Sequence, residues 1–176
     1  SFAAEAFKVK ADLITIAKGM TSGMVPMGGV LVKEDIYETF MTGPEDNIEF
    51  YHGYTYSGHP LAAAAGLATL HVYEEEGLFA RAKSLAPILE EELQTIKGSP
   101  YVIDIRNYGL LGGVELEPIA GKPTTRAMSV FRQCFDNGLL VRTTGDTIAL
   151  CPPLIASEDQ VRTVVAKLKE SLNSID

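Results

Sequence analysis

Cysteine, basic charge and long apolar runs are all scarce in this sequence of 176 residues. The two cysteines, Cys134 and Cys151, are too few and too far apart for a disulfide scaffold or a CxxC zinc site, and they fit a reducing cytosol. The sequence contains only 15 lysines and arginines but 23 aspartates and glutamates, so the formal net charge is -8 at pH 7. That sign repels phosphate backbones and disfavours a nucleic-acid partner.

The longest apolar run, residues 61–70, is about half as long as a membrane span, and the chain shows no signal-peptide pattern at its start. We therefore expect a cytoplasmic protein without a membrane partner. The opening segment, Ser1 to Phe7, has neither an initiator methionine nor a capping residue. It is typical of the interior of a longer chain, although trimming would explain it too.

Apolar spacing and glycine or proline breaks predict an α/β region followed by a small α+β region. In the first region we expect a buried strand over 11–17, a second strand over 28–32, a short helix over 33–41, a long loop over 45–60, and a packed helix from Pro60 to about Glu76. In the second we expect helices over 78–97, 124–136 and from the N-cap Ser157 to about Leu172, with strands over 102–105, 111–116, 139–142 and 147–150. The first of these helices is amphipathic, because Leu85, Ile88, Leu89, Leu93 and Ile96 repeat at helical spacing. The change in character predicts a domain switch near residue 75, which gives domains of 1–75 and 76–176.

Lys18 stands at the end of the first predicted strand, just before a glycine-rich turn. A lysine placed there can project its amine into a dry cleft, where desolvation disfavours the ammonium and leaves a neutral nucleophile. Such an amine forms a Schiff base with an aldehyde cofactor. Spacing alone favours the simpler interpretation, in which the amine is solvated.

The segment that runs His52-Gly-Tyr-Thr-Tyr-Ser-Gly-His-Pro60 admits three interpretations. A metal site is disfavoured because His52 and His59 are seven residues apart in an irregular loop. A structural loop would need only histidines that hydrogen-bond to the backbone. A phosphate and subunit-interface loop is the third, since hydroxyls and backbone donors precede a helix N-terminus. We assign no catalytic role to either histidine.

A third segment, residues 137–153, contains Arg142 beside a predicted hairpin turn at Gly145-Asp146. On the pattern alone, Arg142 is best explained as an exposed charge on a hairpin.

Together these segments resemble the class III, omega-amino-acid:pyruvate group of pyridoxal-phosphate-dependent aminotransferases. The string from Thr15 to Gly29, TIAKGMTSGMVPMGG, is similar to the family's cofactor-lysine segment, in which an apolar strand, Ala-Lys-Gly and a Pro-x-Gly-Gly turn recur in this order. The nonamer 52–60 is close to the family's pattern as well. One departure is the segment 8–12, where the family often has a glycine and a proline. The resemblance covers essentially the whole chain.

This resemblance implies pyridoxal 5'-phosphate as the cofactor and gives three residues a role. Lys18 would hold the cofactor as a Schiff base and move the substrate proton. Thr55 would donate its hydroxyl to the cofactor phosphate of the neighbouring subunit. Arg142 would pair with a substrate carboxylate, with Arg106 as the weaker alternative, because a guanidinium binds a carboxylate through two hydrogen bonds. No metal is implied.

The implied fold is the end of the large α/β domain of a fold-type I pyridoxal-phosphate transferase, followed by its small C-terminal α+β domain. The implied reaction moves an amino group from an omega-amino acid or amine to a keto acid such as pyruvate, in a homodimer or dimer of dimers with shared active sites. Enzymes acting on GABA or diamines, and aminomutases, share much of the pattern. Family members are longer, and we expect this chain alone to be inactive, with packing and dimerisation as its remaining role.

Overall fold

The computed structural model describes residues 2–46 and 50–175, and the chain separates into two compact units, Ser1–Gly77 and Leu78–Asp176. The first unit contains α1 (Ala3–Ala6), β1 (Leu13–Ala17), a 3₁₀ turn (Gly19–Thr21), β2 (Gly28–Val32), α2 (Glu34–Phe40) and α3 (Pro60–Glu75). The second contains α4 (Leu78–Gln94), β3 (Val102–Tyr108), β4 (Leu111–Leu116), α5 (Thr125–Asp136), β5 (Arg142–Thr144), β6 (Thr147–Leu150) and α6 (Glu158–Asn173). Their predicted assignment to a large and a small domain stays a prediction.

The first unit is built on a two-stranded ribbon, in which β1 pairs antiparallel with β2 from Leu13↔Val32 to Ala17↔Gly28. Leu13, Val30 and Leu31 are each more than half exposed. The prediction that β1 is a buried strand is therefore wrong for this chain. The reason is that, in the described part of the chain, each strand of the ribbon pairs with the other alone, and an isolated pair of strands has little core of its own.

Helix α3 packs against the 3₁₀ turn through a stripe of small residues, Ala62, Gly66 and Thr69, all of which are buried. A Cβ placed on Gly66 would lie 3.6 Å from the carbonyl oxygen of Met20. This close approach confirms the prediction of a packed helix. Part of the predicted loop before α3, residues 47–49, lies outside the described residues.

The second unit is an antiparallel sheet of strand order β3-β4-β6-β5, and α4, α5 and α6 pack together with its strands. Paired residues of neighbouring strands point to the same side of a sheet. The row Ile105–Val114–Ile148 therefore faces the helices, and Val114 and Ile148 are fully buried there. Leu89 and Leu93 of α4 belong to the same core.

Most predicted elements are confirmed to within a few residues, and β5 is the largest displacement. The prediction placed this strand over 139–142, whereas it begins at Arg142. Leu139 and Val141 are buried in the core, and the N–H of Leu139 donates to the carbonyl of Cys134 at 2.7 Å. Leu139 therefore caps the end of α5, and Leu139 and Val141 fill the core instead of joining the sheet.

Ser157 is the N-cap of α6, as predicted. Its hydroxyl accepts from the N–H of Gln160 at 3.2 Å, and the Gln160 side chain accepts from the N–H of Ser157 at 2.9 Å. This reciprocal pair satisfies two donors that a helix start leaves unpaired. No helix in the described parts of the chain combines the length and the apolar character needed to cross a membrane.

Adjacent glycines on β4 provide a test of how tightly this core is packed. A Cβ on Gly112 would lie 2.7 Å from Cδ1 of the fully buried Leu93, whereas a Cβ on Gly113 would have no neighbour closer than 3.5 Å. We expect Gly112→Ala to lower the free energy of unfolding by about 1–3 kcal/mol, the usual cost of overpacking. Gly113→Ala is the matched control and should change it by less than about 0.5 kcal/mol. Urea unfolding of both variants measures the difference, and equal stability would contradict the packing described here.

Candidate active site

Lys18 occupies a strained backbone position immediately after β1. Its φ of 55° and ψ of -78° lie where residues with a side chain are rarely found. The Lys18 carbonyl accepts hydrogen bonds from the N–H of Thr21 at 3.3 Å and of Gly23 at 3.1 Å. Strain of this kind collects at functional sites, where the surrounding structure holds it in place.

Two side chains hold the turn that follows Lys18. The hydroxyl of Thr21, which is 1% exposed, donates to the carbonyl of Val25 at 2.6 Å. The hydroxyl of Tyr73, on α3, donates to the carbonyl of Gly19 at 2.8 Å. The turn is therefore stabilised by one hydrogen bond within itself and by another from α3.

Tyr73 was not singled out from the sequence. It lies 54 residues from Gly19 along the chain, and local spacing does not report such a contact. The available signal was its place seven residues after Gly66, which puts both residues on one face of α3.

The side chain of Lys18 is exposed, and no described residue forms an ion pair or hydrogen bond with its amine. The predicted dry crevice around this amine is therefore wrong for the chain by itself. The reason is that β1 pairs only with β2, and Ala17 and Gly19 on either side of Lys18 are exposed too. What remains is a solvent-accessible amine on a backbone that is held in place.

Thr55 lies in a turn that leads directly into α3. The turn is closed by Ser57, whose hydroxyl accepts from the N–H of Tyr54 at 2.9 Å and whose N–H donates to the Tyr54 carbonyl at 2.9 Å. Thr55 itself is exposed, and its hydroxyl has no hydrogen-bond partner in the described part of the chain. This hydroxyl is therefore available to donate to an anion.

The two histidines of the loop have structural contacts. Nδ1 of His59 accepts from the N–H of Leu61 at 3.2 Å and so caps α3. The ring of His52 lies 5.6 Å from that of Phe50 and 5.3 Å from that of Tyr54. Within residues 2–46 and 50–175, no group of three or more histidines, cysteines or carboxylates is arranged to bind a metal.

Arg142 is the first residue of β5 and lies on the sheet face opposite the helices. It pairs with Ala149, which pairs with Gly113, which in turn pairs with Arg106. These four residues therefore form one row across the sheet. Arg142 is exposed and forms no ion pair with any described residue, while Ala149 and Gly113 present no bulky side chain beside it.

The guanidinium of Arg106, at the other end of that row, is already paired with two carboxylates. Its Nη1 donates to Glu115 at 2.7 Å and to Asp104, and its Nη2 donates to the hydroxyl of Thr147 at 3.4 Å. The hydrogen bonds to Glu115 and then to Asp104 raise the pKa of Arg106 above its ordinary value. A guanidinium held in this way has few donors left for a substrate. The structure therefore distinguishes the two arginines that the sequence left as alternatives for binding a substrate carboxylate: Arg106 is paired with carboxylates, and Arg142 has no ion pair with any described residue.

Comparisons with known proteins were made over the whole chain. The sequence model of the family described as Aminotransferase class-III matches residues 1–172. An omega-aminotransferase of Caulobacter vibrioides is 50% identical over 175 residues, which cover 99% of this chain and 40% of the relative. A beta-alanine–pyruvate aminotransferase of Pseudomonas aeruginosa is 41% identical over 174 residues, covering 98% of this chain and 39% of the relative.

Solved structures agree with these relatives. A transaminase from the marine bacterium Virgibacillus superposes with a TM-score of 0.85 at 35% identity, over 97% of this chain and 41% of that one. An aminotransferase of Bacillus anthracis gives a TM-score of 0.86 at 34% identity, over 98% of this chain and 41% of that one. The chain therefore spans about 40% of the length of the curated relatives it matches.

Proposed function

Because this chain belongs to the class-III aminotransferase family, we propose that it is the C-terminal part of a pyridoxal-phosphate-dependent transaminase. The reaction moves an amino group from an omega-amino acid or amine to a keto acid such as pyruvate. The observation that carries the proposal is the strained turn that presents a Lys18 amine without a partner among the described residues, in a chain 50% identical to an omega-aminotransferase.

The residues present fit the cofactor in the chemistry they offer. Lys18 has a primary amine without a described partner, and Thr55 has an unpaired hydroxyl just before the N-terminus of α3. A helix start favours an anion such as a phosphate, because its N–H groups and dipole point outward. When bound, pyridoxal phosphate supplies an aldehyde carbon that an amine attacks and a ring that accepts the electron pair of a broken C–H bond.

Lys18 has two roles in this proposal. Its Nζ would hold the cofactor through the aldehyde carbon. When free, Nζ would take the proton from the substrate carbon as a general base and, once protonated, would return it as a general acid. Both roles begin from an uncharged amine, which exclusion of water from the Lys18 side chain by other parts of the full-length protein would favour.

Thr55 is proposed to donate its hydroxyl to the cofactor phosphate of a neighbouring subunit. The loop that bears it carries several strongly exposed aromatic residues, Tyr51, Tyr54 and Tyr56 among them. Large exposed aromatic surface is typical of a protein interface. A homodimer, or a dimer of dimers, with active sites shared between subunits is therefore part of the proposal.

Arg142 is proposed to bind the carboxylate of the substrate. It is exposed, without a described partner, and flanked across the sheet by the small Ala149. Arg106 is the poorer candidate because Glu115 and Asp104 already neutralise it.

A cytoplasmic location is also proposed, since Cys134 and Cys151 are both free thiols.

A panel of amine donors assayed with pyruvate on the full-length protein tests this function. We expect omega-amino acids such as β-alanine to be converted, with alanine formed in equal amount, as the names of the relatives suggest. GABA and putrescine belong in the panel because relatives named for those donors match at 33% and 37% identity. Absence of alanine with every donor would contradict the proposal.

A second candidate function, packing and dimerisation without catalysis, is favoured for the isolated chain by the exposure of Lys18. In this case residues 1–176 alone should form no alanine with any donor of the panel. They should also acquire no absorbance band from covalently bound pyridoxal phosphate. Activity in the isolated chain would show that residues 1–176 are sufficient.

A further inference from the structure

Helix α3 and the turn that bears Lys18 are joined by a polar contact between distant parts of the chain. The hydroxyl of Tyr73, a half-buried residue, donates to the carbonyl oxygen of Gly19 at 2.8 Å across 54 residues of sequence. Gly19 directly follows Lys18. The contact therefore acts on the peptide that joins Gly19 and Met20, one residue beyond the proposed cofactor-binding lysine.

The remainder of this contact is made by van der Waals packing. A Cβ on Gly66 would lie 3.4 Å from Sδ of Met27 and 3.6 Å from the carbonyl oxygen of Met20. Gly66 and Tyr73 are two helical turns apart and lie on the same face of α3. This face of α3 packs against the turn, and the Tyr73 hydroxyl adds a directional hydrogen bond to the Gly19 carbonyl.

The Gly19 carbonyl also accepts from the N–H of Ser22 at 3.4 Å, so the shorter bond from Tyr73 adds to a longer one within the turn. Glycine has no Cβ and moves easily between backbone conformations. Lys18, beside it, is held at φ 55° and ψ -78°, from which a residue with a side chain relaxes if the structure permits. Such relaxation would turn the bond between Cα and Cβ of Lys18, and the amine at the end of the side chain would move furthest.

We propose that Tyr73 is a positioning residue, whose hydroxyl holds the Gly19 peptide and so keeps Lys18 in the backbone conformation that presents its amine to the cofactor. This inference rests on the proposed function, because the contact would otherwise be structural only. Tyr73 acts through Gly19 and takes no part in the chemistry itself.

The test compares Tyr73→Phe with wild type in the full-length protein. This change removes the hydroxyl and leaves the ring to pack. Tyr37→Phe is the matched control, because Tyr37 is an exposed tyrosine of the same unit whose hydroxyl donates to no described residue. Three quantities are measured: the dissociation constant of pyridoxal phosphate, the fraction trapped on Lys18 by borohydride and located by peptide mass spectrometry, and amide hydrogen exchange over residues 18–23.

We expect Tyr73→Phe to bind pyridoxal phosphate about fivefold more weakly, which corresponds to the loss of one ordinary hydrogen bond. The trapped fraction at Lys18 should fall, and amides 19–23 should exchange faster while those of α3 keep their wild-type rates. Tyr37→Phe should match wild type in all three measurements.

Wild-type cofactor binding and trapping in Tyr73→Phe would overturn the inference. So would faster exchange throughout α3 together with unchanged cofactor binding, which would make the contact merely structural. If wild-type protein itself traps no cofactor on Lys18, the proposed function fails. In that case the exchange of amides 19–23 still decides whether Tyr73 anchors the turn.

Discussion

Lys18→Ala in the full-length protein abolishes covalent attachment of pyridoxal phosphate and lowers the transamination rate by a factor of at least about 10²–10⁴, the usual contribution of a positioned general acid–base. Alanine has no amine, so it neither bonds to the cofactor aldehyde nor carries the proton away from the substrate carbon. The loss should appear in kcat, since this group is used in the transition state and not in substrate binding alone.

Absorbance of bound cofactor and a single-turnover assay with β-alanine measure the two parts of this result. Lys10→Ala is the matched control, because Lys10 is another exposed lysine of the first unit, and it should keep both properties. Turnover at the wild-type rate in Lys18→Ala would disprove the assignment of Lys18. We expect turnover to be retained in Lys10→Ala and lost in Lys18→Ala.

Arg142→Ala should change which amine donors are used, with little effect on protein stability. For donors that carry a carboxylate we expect kcat/KM to fall about 10- to 100-fold, since hydrogen bonds to charged groups contribute about 1.5–3 kcal/mol. For amines without a carboxylate we expect less than about a twofold change, because they have no group for the guanidinium to bind. For the same carboxylate donors, Arg142→Lys should have a kcat/KM between those of wild type and Arg142→Ala, because lysine keeps the charge and loses the bidentate geometry.

Steady-state kinetics with β-alanine and with an uncharged amine donor provide this comparison. Arg132→Ala, an exposed arginine of α5, is the control for loss of a positive charge. Arg106→Ala should lower stability and leave donor selectivity unchanged, because Arg106 joins Asp104, Glu115 and Thr147 across three strands. A loss of carboxylate selectivity in Arg106→Ala, with none in Arg142→Ala, would reverse the assignment.

Local chemistry made much of the fold predictable. The reciprocal cap at Ser157 and the Gly145-Asp146 turn depend on a few adjacent residues, and both occur where they were predicted. The spacing of Leu85, Leu89 and Leu93 predicted the buried face of α4 for the same reason. Burial was harder to predict: β1 has the composition of a core strand, yet its exposure depends on which other elements are present to cover it.

The candidate site divides in the same way. The roles of Lys18, Thr55 and Arg142 were predicted from the resemblance of short segments to the class III family, and they stay predictions. Sequence spacing did not reveal that Tyr73 reaches Gly19, nor that Arg106 is neutralised by Glu115 and Asp104. Both contacts arise from the packing of residues that are not adjacent in the chain.

The amino-acid sequence was enough to place most helices and strands to within a few residues, to identify the class III resemblance, and to propose the side chains that carry the chemistry. These depend on side-chain type and on spacings of a few residues. The tertiary structure alone decided that Arg142 and Arg106 share one row of a sheet, that only Arg106 is paired with carboxylates, and that Lys18 sits on a strained turn tied to α3. The physical reason is that strand register, burial and backbone strain are set by contacts between residues far apart in the chain.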